Sequence, residues 1–194
     1  MQRHPHATAL GYAAAMHHRQ IVPAVALAAL SVAAAPATRP AATRPADPAA
    51  AESRARQVGL ACLMYINEHR GMGPADLGEV LRFVGPSAAK VFVLPGEEPA
   101  LAPLPDVATA EWVNAHTSWA YLGKDVKWSK VHRPWETVLL HSKLDAPLTE
   151  GAGKRVVVVA YMDGHVVAMP VEQARAQVDA STKALLDARV PAKP

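Results

Sequence analysis

The chain has 194 residues, 51% of them apolar, with 17 prolines and a formal charge of +3, which is enough apolar material for one ordinary core and excludes a wholly disordered protein. Of the 20 bases two, Arg3 and Arg19, precede residue 33, where there are no acids, leaving 18 bases against 17 acids. That near-neutral remainder gives no support for a nucleic-acid partner, and the single cysteine, Cys62, excludes an intramolecular disulfide and a cysteine-based zinc site.

Met1 to Gln20 holds two arginines, four histidines and no acid, and Ile21 to Ala35 (IVPAVALAALSVAAA) is an uncharged run with only Ser31 polar. This is the order of a secretory signal. A helix over the run would rise about 22 Å, short of the roughly 30 Å hydrocarbon core, so cleavage is expected and no permanent membrane span thereafter. Residues 1–33 are assigned to the signal, cut after Ala33, with Met16 as an alternative start. Residues 34–48 form a linker built on a tandem ATRPA repeat, whose prolines disfavour helix. The protein is expected to be exported, to the periplasm or beyond.

Residues 49–190 carry the folded domain. Asp47 as N-cap and Pro48 at the first helical position open a helix to Arg70, with Val58, Cys62, Tyr65 and Ile66 on its apolar face and Glu52, Arg56, Asn67 and Arg70 on the other. Gly71, Gly73 and Pro74 end it. Asp76 and Glu79 form a capping box for a second helix over Leu77 to Val84, closed by Gly85. The period then changes: Lys90 to Leu94, Ser118 to Leu122, Thr137 to Ser142, Arg155 to Met162 and His165 to Met169 read as strands. Asp163 and Gly164 make a two-residue type I′ turn between the last two. Pro170 precedes a final helix, Val171 to Ala188, with Val171, Ala174, Val178, Leu185 and Leu186 as its stripe. The fold class is α+β: a long N-terminal helix packed on a small, mostly antiparallel sheet that ends in a β-hairpin, with a C-terminal helix.

Asp163 and His165 are the residues an acid/base pair would use, but the turn accounts for Asp163 and Gly164 without chemistry, and alternation aligns Asp163 with His165 only loosely. His69, His116, His132, His141 and His165 lack metal-ligand spacing, so no metal is expected. Ser142 beside His141 lacks a nucleophile elbow, GAGKR at Gly151 to Arg155 lacks a phosphate-binding frame, and Cys62 sits on the buried helix face. Neither a catalytic group nor a cofactor is implied. Trp112, Trp119, Trp128 and Trp135, close together in an aromatic-poor chain, could form a recognition surface or fill a small core.

The segment from Ser53 to Ala61, followed by Tyr65, Asn67, Gly71 and Pro74, resembles a helix-ending pattern of the globular part of bacterial type II secretion pseudopilins. It is closest to the planctomycete-type family of prepilin-like proteins of unknown function. Tyr161, Met162, Asp163, Gly164, His165 and Val166 resemble the F-x-D-G-H-V of that family's last hairpin. KVFVLPGEE is similar to its V-F-x-C-P-x-D segment with Leu94 in place of the cysteine, and SWAYLG to its S-Y-x-Y-x-G strand. The resemblance covers about residues 52 to 188. It implies a pseudopilin-like fold and a non-enzymatic binding or structural role, linked to type II secretion or the envelope, with an envelope or extracellular protein as partner. The prepilin G-F-T-L-I-E signature is missing. An exported hydrolase using Asp163 and His165, and a glycan- or peptide-recognition domain using the tryptophans, are the competing expectations.

Overall fold

Asp47 accepts a hydrogen bond at Oδ1 from the Ala49 N–H (3.0 Å), and Pro48, which has no N–H to satisfy, begins the first helix, α1, Pro48–Glu68. The computed structural model describes residues 47–97 and 104–190, so the signal and all of the linker before Asp47 lie outside the described residues. Ala51, Ala55, Val58, Cys62 and Ile66 are buried along α1, and His69 caps it. Arg70 and Gly71 then both take positive φ (55° and 83°), which turns the chain sharply back.

Glu52 departs from the expected solvent face: it is half-buried, and its Oε1 accepts from the Ala168 N–H at 3.0 Å. The second helix is one 3₁₀ turn, Leu77–Val80, running into a single α turn, α2, Leu81–Val84. Asp76 caps it through the N–H groups of Gly78 and Glu79, while Glu79 reaches back to the Ala75 N–H and not to that of Asp76. Gly85 closes it with φ 93°.

The segment expected as a first strand, Lys90 to Leu94, is not one. It forms a 3₁₀ turn, Ala89–Phe92, and then an extended stretch whose backbone is satisfied by side chains instead of a neighbouring strand. Trp119 Nε1 donates to the Val91 carbonyl (2.9 Å), Thr117 Oγ1 to that of Phe92 (3.0 Å), and Arg54 to those of Lys90 and Val93 (both 3.0 Å). The Leu94 N–H donates to Ser118 Oγ. Val91, Phe92, Val93 and Leu94 are therefore buried with no ladder, because every polar backbone group in need of a partner finds one locally.

A third helix, α3 (Ala110–His116), capped by Thr109, precedes a five-stranded antiparallel sheet. Its strands are β1 (Trp119–Tyr121), β2 (Val138–Ser142), β3 (Leu148–Glu150), β4 (Lys154–Tyr161) and β5 (Val166–Pro170). β1 pairs with β2, and β2 with β4 across a bulge at Val138/Leu140. Val156 of β4 pairs with both Leu148 and Pro170, so β3 and β5 flank β4 on opposite sides.

The continuous run VVVVAY in β4 is explained by helices on both faces of the sheet. Val156, Val158 and Ala160 join the core under α1, whereas Val157, Val159 and Tyr161 pack with Ala174 and Val178 of the last helix, α4 (Val171–Ala188). Ser181 of α4 is buried and accepts from the Val138 N–H (2.9 Å), while Leu186, expected on the inner stripe, is 57% exposed.

The β4–β5 hairpin has a three-residue loop, not the two-residue type I′ turn. The Gly164 N–H donates to the Tyr161 carbonyl and the Tyr161 N–H to that of His165; of Met162, Asp163 and Gly164, only Gly164 has positive φ (94°). This is the turn-plus-bulge connection in which one left-handed residue suffices. A Cβ at Gly164 would also sit 3.3 Å from Leu63 Cδ1 of α1. Gly164→Val should therefore cost roughly 1 to 3 kcal/mol, from a β-branched residue forced into positive φ. An unchanged urea midpoint would contradict it.

Candidate functional site

Asp163 and His165 are brought into direct contact, closer than strand alternation suggests. Asp163 Oδ1 accepts from the His165 N–H (3.1 Å) and from His165 Nδ1 (2.6 Å), and the imidazole stacks on Tyr161 at 4.0 Å and 9°. Partial desolvation raises the Asp163 pKa, but the backbone and imidazole N–H donors of His165 outweigh it and hold the carboxyl below its ordinary value. The pair could orient an imidazole as a general base. Among the described residues, however, no serine, threonine or cysteine side chain hydrogen-bonds to His165, and both partners are exposed on the hairpin.

The remaining described histidines do not converge on a metal, and no metal-holding group of side chains occurs among the described residues. His69 and His116 each stack on the aromatic ring four residues earlier, Tyr65 and Trp112, and donate from Nδ1 to that residue's carbonyl, both at 2.8 Å. Both imidazoles thus serve helix ends, where backbone carbonyls lack partners. His141 is buried, donates to the Ser142 carbonyl, and is shifted to lower pKa by desolvation. Ser142 is fully buried and accepts from the Val158 N–H, so it is no nucleophile. Burial pushes the Cys62 thiol up to about 12, which leaves it protonated and inert. GAGKR is the tight link between β3 and β4.

The four tryptophans occupy three kinds of place. Trp119 is in the core at 3% exposure, Trp112 and Trp128 are half-buried against it, and Trp135 stands 54% exposed. Trp119 presents nothing to solvent. Trp128 is held in position by backbone pairing between the turn after α1 and the segment 126–128: its N–H donates to the Gly71 carbonyl (2.7 Å), the Gly73 N–H to that of Val126 (2.8 Å), and Met72 bridges Lys127.

That pairing sets Trp128 against the end of α1 and creates an open depression of about 460 Å³ lined by Leu63, Ile66, Asn67, Arg70, Gly71 and Trp128. Leu60 and Met64 on α1 are 56% and 45% exposed. Lys127 Nζ donates to the Arg70 carbonyl at 2.8 Å, so a cation caps the turn. The single-face reading of α1 missed this feature. Its signal was present in Leu60, Leu63 and Met64, apolar residues off the buried stripe, although the approach of Trp128 has no local sequence mark.

No known family model, characterised protein or solved structure matches this chain. Among the described residues no helix is long and apolar enough to cross a membrane.

Proposed function

We propose that the chain is an exported, pseudopilin-like module of the envelope or extracellular space that acts by contacting another protein and not by catalysis. The observation that carries this reading is the apolar depression at the end of α1, next to exposed Leu60 and Met64. Apolar residues of this size on a helix that already buries its other face fit a contact surface. The helix–sheet–hairpin order agrees with the pseudopilin resemblance, and with it a link to secretion or envelope assembly. Filament building is not included, since the prepilin signature is missing.

The second reading, a hydrolase, has the 2.6 Å Asp163–His165 contact in its favour. The two readings separate on paired variants. Asp163→Asn keeps the turn and His165→Gln keeps a polar group, so both should fold with unchanged midpoints. A screen of the exported protein against ester, peptide, phosphoester and glycoside substrates should show no activity that responds to either change. An activity that falls about 100- to 10,000-fold in both folded variants, as loss of a proton-transfer group produces, would establish the hydrolase.

A further inference from the structure

We infer that the depression at the end of α1 receives an acidic segment of another protein that carries a bulky apolar side chain, a proposal that rests on the contact-surface reading above. Its floor is apolar, formed by Leu63, Ile66 and Trp128. Its rim is cationic: Arg70 is exposed at the edge, Lys127 is tied to the Arg70 carbonyl, and Lys130 closes the same one-turn helix that holds Trp128. The acids nearest in the chain are already engaged, Glu68 with Arg82 at 3.0 Å and Asp163 with His165 at 2.6 Å. An apolar floor within a basic rim is complementary to an apolar residue flanked by carboxylates.

Charge also decides between occupants. The chain's own linker brings Arg39 and Arg44 and no acid before Asp47, so it would meet like charge. A second copy seated depression to depression would set one basic rim against another. A small ligand is disfavoured by shape, because the depression is open, whereas small-molecule sites enclose most of their ligand. An acidic protein segment satisfies all three conditions.

The experiment is selection of a charge-balanced, phage-displayed library of random 12-residue peptides on the full exported chain. The expected result is enrichment of peptides in which Asp or Glu flanks Leu, Phe or Trp, with binding that weakens as salt rises. A synthetic consensus peptide should lose about two- to fivefold in affinity with Arg70→Gln and again with Lys130→Gln, both exposed positions that leave the fold intact, and about tenfold or more with Trp128→Ala. Four results would overturn the inference: no enriched peptide, enriched peptides without acids, binding unchanged in the Arg70→Gln, Lys130→Gln double variant, or sedimentation with phosphatidylglycerol vesicles that the same variant abolishes. None of these requires an active site. Loss of the inference is therefore distinct from loss of the non-enzymatic reading, which falls only to an activity dependent on Asp163 and His165.

Discussion

Gly73→Ala should destabilise the domain by about 3 kcal/mol or more, the upper range for forcing an added methyl group into packed structure. A Cβ at this buried position would lie 2.2 Å from the Gly123 carbonyl oxygen and 3.2 Å from the Tyr121 hydroxyl. The nearer neighbour is backbone and cannot rotate away. Relief would mean separating the 71–73 turn from the segment it pairs with, losing the 2.8 Å Gly73–Val126 hydrogen bond and the seat of Trp128. Gly71→Ala is the control: its Cβ would meet nothing closer than Trp128 Cβ at 3.8 Å, and only the positive φ of 83° opposes it. That strain is about 1 to 2 kcal/mol. Urea denaturation of both variants should therefore rank Gly73→Ala clearly below Gly71→Ala, and equal midpoints would refute the close approach.

Trp119→Ala should cost about 3 to 5 kcal/mol, as large aromatic deletions in cores do, while Trp135→Ala stays within about 0.5 kcal/mol of the parent. Trp119 fills the space between β1 and the 3₁₀ turn at Ala89–Phe92, and its Nε1–H is a partner of the buried Val91 carbonyl. Removing it leaves both a cavity and an unpaired acceptor. Trp119→Phe keeps most of the volume and should lose far less. If Trp119→Ala and Trp135→Ala unfold at the same denaturant concentration, Trp119 is not a core residue.

Where periodicity acts alone, residues specify structure legibly. The three-to-four spacing of Val58, Cys62 and Ile66 marks the buried side of α1, and the run from Val156 to Tyr161 marks a strand. Val171 to Ala188 forms a helix with the expected bounds. Legibility fails where partners come from far along the chain. Lys90 to Leu94 has strand composition, but its backbone partners are side chains of Thr117, Ser118, Trp119 and Arg54, and nothing in the pentapeptide announces them. α3 and β3 are too short for a period to emerge, although Thr109, whose Oγ1 accepts from the Trp112 N–H, is a readable cap. The depression at α1 failed for the same reason as Lys90 to Leu94: Ile66 and Trp128 become neighbours through the turn at Arg70 to Gly73. The Asp163–His165 contact was half legible, since the turn was expected but its bulge, which draws the imidazole onto the carboxylate, was not.

The contact between Glu52 and Ala168 bears on how the protein behaves when crowded. β5 pairs only with β4, and its hydrogen-bonded register leaves the N–H positions of Val166, Ala168 and Pro170 facing outward. An exposed row of this kind is a template onto which another chain can add a strand and begin aggregation. Here Ala168 is already occupied by a carboxylate and Pro170 has no N–H to offer, so only Val166 remains. A foreign strand arriving at this margin would gain one donor where it needs several and would bring its carbonyls against a negative charge. The first helix thus makes the border of the sheet sterile to growth.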